Sequence, residues 1–419
     1  MKIGSAQWDI TPKPGVELSG FLNREQPSVG IQDSLLARAL YLEQDGQRVL
    51  WIHADLLGWD REFVLGFRAW AEAELGLKPG EVLLSATHTH GAPAVLRLLG
   101  CGRVEEAYAT SLRSRLEDLA GEAKHSARYC RTVFAHGSLD LAVDRRRERT
   151  SATDPRLTTV GWRAPDGPFL AAAAVYSMHP VAMGGSRLIT ADWPGRAAAA
   201  LQNLLPGGPV ALVSSGACGN LNPPQCGASE ADMHDWGDQV GETAGRLLAA
   251  AEPSLDPPEF RVASRIVTLP LDAWDEAEIT RWTAEKLESA AGTRLQDRRY
   301  RAVLESWREN RLSELGRPGR ESVEAELFAL RFGPIILMGV NAEVFCQFAL
   351  RLREQSGRDA AVLGCCNGLF GYLPHEAAYD EGGYEPNSSF LFYDRFRVRR
   401  GSLEFLADQA VELAGFLFS

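Results

Sequence analysis

The sequence predicts an α/β protein with mixed β-sheets packed together and flanked by helices. Three observations predict it. Short apolar runs bounded by Gly, Pro and Asn alternate with longer segments of helical spacing. Some runs pair across tight turns, Asp45-Gly46 and Pro165-Asp166-Gly167, which marks hairpins and makes the sheets mixed rather than purely parallel. Hydrophobic residues are 45% and charged residues 24% of 419, the balance of a globular chain able to bury a large core. No internal repeat or low-complexity linker is visible. Residues 1–419 therefore read as one domain.

The elements follow in order. Asp9-Ile10-Thr11-Pro12 opens a turn, and 37–42 and 48–56 form the first hairpin. Residues 61–77 carry Phe63, Val64, Phe67, Trp70 and Leu75 at helical spacing. After Lys78-Pro79-Gly80, residues 81–86 are a compact apolar strand that breaks at Thr87-His88-Thr89-His90-Gly91. A second amphipathic helix spans 104–127. Strand-like 129–141 runs into Asp144-Arg145-Arg146-Arg147, and strands 157–162 and 169–178 follow. The second of these breaks at His179-Pro180. Helix 196–205 enters after Trp193-Pro194-Gly195, with Pro where helices accept it. Strand 210–215 opens into the small-residue loop Gly216-Ala217-Cys218-Gly219-Asn220, and 230–251 is a long helix. Strand 260–269 precedes a charged stretch, 275–315, read as an exposed helical excursion and a candidate lid. Strands 324–331 and 334–340 lead to Asn341-Ala342-Glu343 and a helix at 344–353. Strand 360–364, an aromatic-rich loop at 371–384 and an amphipathic helix at 402–417 complete the chain.

The formal net charge of −11 argues against nucleic acid or an anionic membrane as partner. Met1 to Asp9 lacks the apolar segment of a secretory leader, and no run reaches transmembrane length. The expectation is a cytoplasmic protein with no stable membrane insertion, acting on a small molecule; nothing in the sequence sets the oligomeric state. Seven cysteines, an odd number without any CxxC, are read as buried, reduced thiols rather than a disulfide framework or thiolate zinc site.

The strand ends carry the chemistry. His88 and His90, two apart, project to one side if the backbone stays extended. His179 and Glu343 also follow hydrophobic strands, where open α/β sheets place their sites. Two histidines and a carboxylate make a recurring catalytic zinc set with a position left for water. The plain alternative is polar residues in surface loops.

Several motifs resemble the catalytic domain of the neutral/alkaline (non-lysosomal) ceramidase family. They are Asp9-Ile10-Thr11-Pro12, Ala37-Arg38-Ala39-Leu40, Asp55-Leu56-Leu57-Gly58 and Ser85-Ala86-Thr87-His88-Thr89-His90-Gly91-Ala92-Pro93. Met178-His179-Pro180, Thr190-Ala191-Asp192-Trp193-Pro194-Gly195 and Gly219-Asn220-Leu221-Asn222-Pro223 follow. Asn341-Ala342-Glu343 and Asn367-Gly368-Leu369-Phe370-Gly371-Tyr372 complete the set. They span nearly the whole chain in the family's order. The resemblance implies a zinc-dependent amidohydrolase with a ceramidase-like fold. By that resemblance, Zn2+ is held by His88, His179, Glu343 and Tyr372. His90 faces the reacting carbonyl and is the first candidate for protonating the leaving amine. Arg145, or Arg146 if the alignment slips, and Tyr384 help hold the oxyanion, and Asn220 binds substrate. On their own, Tyr372 and Tyr384 read as packing residues of an aromatic loop and Arg145 as a solvated cation.

Two departures shape the expectation. Asn222 stands where ceramidases have a serine, so a serine nucleophile there is impossible. The chain also stops without the family's C-terminal β-sandwich. The expected reaction is amide hydrolysis of a small N-acyl compound. Alternatives are a true ceramidase acting on N-acylsphingosine, a zinc esterase, and a non-catalytic binding module on the same fold.

Overall fold

The structure, a computed structural model, describes residues 1–146, 152–165, 167–253, 258–289 and 295–419. Arg147, Asp166 and residues 290–294 of the helical excursion lie outside the described residues. The expected α/β class is what the structure has: mixed sheets flanked by helices.

One topology is used three times, although no repeat is visible in the sequence. In the first unit Lys2–Asp9 pairs antiparallel with Leu36–Gln44, which forms the Asp45-Gly46 hairpin with Gln47–Ala54. Helix Arg61–Leu75 then crosses over to Val82–Ala86, parallel to Gln47–Ala54. The second unit runs Arg131–Ser138, Arg156–Arg163, Phe169–Tyr176, helix Asp192–Leu204, then Val210–Ser214 parallel to Phe169–Tyr176. The third runs Phe260–Pro270, Ser322–Phe332, Ile335–Val340, helix Cys346–Ser356, then Asp359–Leu363 parallel to Ile335–Val340. A closing helix follows each unit: Glu106–His125, Glu230–Ala250 and Ser402–Leu417.

The three sheets face one another across a shared core. Trp51 and Leu83 of the first sheet, Trp162 and Leu212 of the second, and Phe328 and Leu337 of the third lie in one cluster. Each outer face is covered by the unit's own two helices, through clusters around Phe67 and Leu116, Trp193 and Val240, and Phe348 and Leu406. Burial on both faces explains why the inner strands Gln47–Ala54, Phe169–Tyr176 and Ile335–Val340 read as nearly continuous apolar runs.

This arrangement positions the strand ends. In each parallel pair both strands finish at the same end, where the connecting loops part. A buried polar network ties the first unit to the third there. Asn367 Oδ1 accepts from Leu84 N at 2.9 Å and its Nδ2 donates to Glu326 Oε1 at 2.9 Å. Glu326 in turn pairs with Arg68 at 2.6 Å and donates its backbone N–H to Asn341 Oδ1 at 2.7 Å. A short parallel bridge, Glu343–Val344 with Tyr372–Leu373, brings two motif segments side by side.

The charged stretch is not the exposed excursion its composition predicts. Helices Glu276–Ser289 and Leu295–Ser313 bury Ile279, Thr283, Val303, Leu304 and Trp307. Trp274, Trp282, Trp307, Phe390 and Phe396 form an aromatic cluster, and Trp307 Nε1 donates to Arg395 O at 2.8 Å. No helix among the described residues is long and apolar enough to cross a membrane.

Candidate metal centre and cavity

Three histidines from two units converge. One nitrogen from each of His88, His90 and His179 lies within 4.8 Å of the others. His90 Nε2 and His179 Nε2 are 3.2 Å apart. Glu343 Oε2, from the third unit, is 3.1 Å from His88 Nε2 and 3.7 Å from His179 Nε2.

Local backbone explains the aim of each ring. His88 sits in the left-handed region with φ 68°, immediately after its strand, so the chain turns and points the ring inward. The His88 backbone N–H donates to Leu56 O at 2.9 Å, and that of His179 to Leu221 O at 2.9 Å. Gly219 passes so close that an added Cβ would lie 2.6 Å from Glu343 O. Only glycine allows that approach.

The donor set fits a metal ion. His88 Nδ1 lies 2.6 Å from Leu57 O, and His179 Nδ1 lies 3.3 Å from Cys218 O. A carbonyl only accepts, so each Nδ1 carries the hydrogen and each Nε2 presents a lone pair. Those lone pairs point at one another and at a carboxylate, an arrangement of acceptors that a cation satisfies. Carbonyl partners on the far nitrogen are also how metal-binding histidines are usually oriented. Burial, and then the neighbouring His88, push the titration of His90 and His179 well below the usual histidine range, which keeps the rings available as ligands. Burial would raise Glu343, but His88 and the hydrogen bonds from tyrosines outweigh it and hold it below its ordinary value as a carboxylate.

Around this centre lies a cavity of about 460 Å³. Its polar wall has His90, His179, Arg145, Asn222, Tyr372 and Tyr384; Phe21, Leu22, Val181, Tyr300 and Phe392 form its apolar wall. Arg145 donates to Tyr372 Oη at 3.1 Å and to Gly219 O at 2.8 Å, and pairs with Glu385 at 2.8 Å. Burial opposes its charge, but Tyr372 and Glu385 outweigh burial and hold the guanidinium protonated. Arg146 turns to Glu385, Glu381 and the carbonyls of Gly382 and Ala378, away from the histidines. Of the two arginines, the cavity beside the histidines takes Arg145. Tyr372 also interacts with Glu343, and burial raises its phenol well above the ordinary range. The Tyr384 ring packs edge-on against Tyr372 at 5.6 Å.

The structure thus brings together seven of the eight expected residues: His88, His90, His179, Glu343, Tyr372, Arg145 and Tyr384. Asn220 does not join them. It is fully buried, its Oδ1 accepting from Cys346 N at 2.9 Å and its Nδ2 donating to Asp144 Oδ2 at 3.0 Å. Its amide holds the loop, and the neighbouring Asn222 lines the cavity instead. The reading of all cysteines as buried also fails at two places: Cys226 is exposed, and Cys130 is only partly buried.

Sequence reasoning missed three contributors. Tyr393 donates its phenol hydrogen to Glu343 Oε1, fixing the carboxylate from behind. In sequence it is one more aromatic in the run after Ser389 and gave no signal. Gly20 (φ +94°) lies against His90, where an added Cβ would come within 2.3 Å of Nδ1. Phe21 then packs tilted against the His90 ring, centroids 4.9 Å apart.

No protein-family model matches the chain, and no curated protein matches it. Solved structures do. The neutral ceramidase from Pseudomonas aeruginosa superposes with a TM-score of 0.74 and 20% identity, over 99% of this chain and 74% of that one. A ceramidase complexed with C2 gives a TM-score of 0.73 at 18% identity, over 99% and 75% of the two chains. The fold of this protein is that of the neutral ceramidases.

Proposed function

We propose that the protein is a zinc-dependent hydrolase that cleaves the amide bond of a small N-acyl compound. One observation carries this reading. His88, His179 and Glu343, from three separate units, converge as acceptors beside a cavity that also presents Arg145 and Tyr384.

His88, His179 and Glu343 would hold the ion, with Tyr372 beside Glu343 as the fourth ligand. Zinc held there supplies Lewis acidity and a water whose pKa is lowered toward neutrality. The chain's own residues do the rest. Phe21, Leu22 and Phe392 exclude solvent and seat the apolar part of the substrate. Arg145, kept cationic and clamped by Glu385, and the Tyr384 phenol face the carbonyl oxygen as it gains negative charge. Preorganised donors of this kind are each worth about 10²–10³ in kcat. His90, on the cavity wall and neutral at rest because burial depresses its titration, would take a proton from the attacking water and pass it to the leaving amine. A second reading, hydrolysis of N-acylsphingosine itself, is favoured by the fold shared with ceramidases and by the apolar wall of the cavity.

Elemental analysis beside a hydrolysis assay tests the reading. About one zinc per chain is expected, lost in His88→Ala and Glu343→Ala, with release of amine from short N-acyl substrates falling at least about 10³-fold in both. A wild-type protein that takes up no metal would overturn it.

A further inference from the structure

The residues that follow 290–294 lie across the cavity. Arg299 and Tyr300, consecutive on helix Leu295–Ser313, reach opposite rims. Arg299 donates to Gly100 O at 3.1 Å and to Arg24 O at 2.5 Å, on the rim that carries Phe21, Leu22 and Cys101. Tyr300 lines the cavity together with Ser388, on the rim that carries Tyr384 and Phe392. One turn further, Val303 packs beside Leu22 at Gly100, where an added Cβ would come within 2.5 Å of Val303 and 3.0 Å of Leu22. The helix is anchored behind by the Trp307 cluster and by the ion pair of Arg311 with Asp394 at 3.1 Å. This element is therefore a fixed wall bridging both rims.

We propose that helix Leu295–Ser313 sets the upper size of the substrate, with Tyr300 as the specificity-determining residue. It rests on the hydrolase reading above and narrows it: the apolar group packs against Tyr300, Leu22 and Phe392 in a cavity of about 460 Å³ that His90, His179 and Arg145 also line. A volume of this order suits one compact ligand. A short or medium acyl chain ends against the phenol ring; a long one must displace that ring. The class of substrate is an N-acyl compound with a compact acyl group.

The test uses binding, so it does not depend on turnover. Straight-chain alkyl hydroxamates, from acetyl to palmitoyl, are titrated calorimetrically into the zinc-loaded full chain. Affinity should rise about fourfold per methylene while the chain still enters the cavity. It should then break and fall before palmitoyl. In Tyr300→Ala the break should move to longer chains, with palmitoyl hydroxamate gaining about tenfold and acetyl hydroxamate unchanged. Tyr300→Phe should keep the wild-type break, and Tyr300→Leu gives a second shortened side chain should the alanine variant fold poorly. A wild-type series that climbs steadily to palmitoyl, or a break that stays put in both shortened variants, overturns the size limit and leaves the hydrolase intact. Failure of every hydroxamate to bind the zinc-loaded protein overturns the hydrolase reading and this inference with it.

Discussion

The histidine corner and the arm of helices Glu276–Ser289 and Leu295–Ser313 are held on opposite terms, and both corner and arm contribute to the wall of one cavity. In the corner, His88, His179 and Glu343 come from three units. Backbone fixes each: a left-handed turn at His88, a carbonyl on each of the His88 and His179 Nδ1 atoms, and Gly219 packed against the Glu343 carbonyl. In the arm, a charged surface hides a thin apolar face, and Trp307 and its aromatic neighbours hold the helices down. The corner is specified by directional polar contacts that tolerate no displacement. The arm is specified by buried area, which is non-directional and tolerates some. A change in the arm should therefore cost stability, and a change in the corner should cost chemistry.

The largest effect should come from the arm. Trp307→Ala removes a fully buried indole, its aromatic contacts and its bond to Arg395 O. Chemical denaturation should show a loss of about 3–5 kcal/mol, with the zinc content of the folded protein unchanged. Loss of the metal at full folding would show that the two regions are not separable.

Gly20→Ala should cost chemistry as well. The new Cβ would collide with the His90 ring, in a backbone conformation that alanine resists. A misplacement of about 1 Å at a reacting group costs on the order of 10²-fold. Turnover should fall by that much, while zinc content holds near wild type and the strained backbone lowers the melting temperature. Equal kcat in the variant would remove His90 from the chemistry.

What was legible in the sequence divides along the same line. Strand ends broken by His, Gly and Pro could be found because the break is local. Val82–Ala86, Phe169–Tyr176 and Ile335–Val340 all lead to expected site residues. The threefold topology was invisible, because three units can share an architecture while their loops share no residues. Asn220 was assigned to substrate through the resemblance of its motif, Gly219-Asn220-Leu221-Asn222-Pro223. The amide is in fact consumed by Cys346 N and Asp144, partners far away in sequence. In the arm, Glu and Arg outnumber the few residues that are buried, so composition pointed to solvent. Tyr393 lies 50 residues from Glu343, and nothing local marks it.

Tyr393→Phe sharpens the contrast within the corner. It keeps the ring and removes only the hydrogen bond to Glu343 Oε1. Loss of such an outer partner typically weakens metal binding 10–100-fold. Competition with a zinc chelator should show that drop, and excess zinc should restore turnover. An unchanged affinity would mean that His88 and His179 orient Glu343 unaided.

Acidification separates the two kinds of buried histidine in the first unit. His88 spends Nδ1 on a carbonyl and leaves Nε2 for a ligand. His53 spends both nitrogens on protein: Nε2 faces Val213 O at 3.1 Å, and Nδ1 faces Ser85 Oγ at 2.8 Å. Burial, then the Arg38 charge, depress its pKa to about 3. The folded value lies below the unfolded value of about 6.5, so His53 contributes its full stability above that pH. As pH falls from there toward about 3, the unfolded chain binds a proton that the folded one refuses. Stability drops by about 1.4 kcal/mol per pH unit. His53→Gln cannot titrate. It should be less stable than wild type near neutrality, yet lose stability more slowly on acidification, by that slope. The corner histidines titrate equally in both proteins, so the difference between the two curves isolates His53. Parallel curves would show that it accepts a proton while folded, and that burial alone does not keep a histidine neutral in this core.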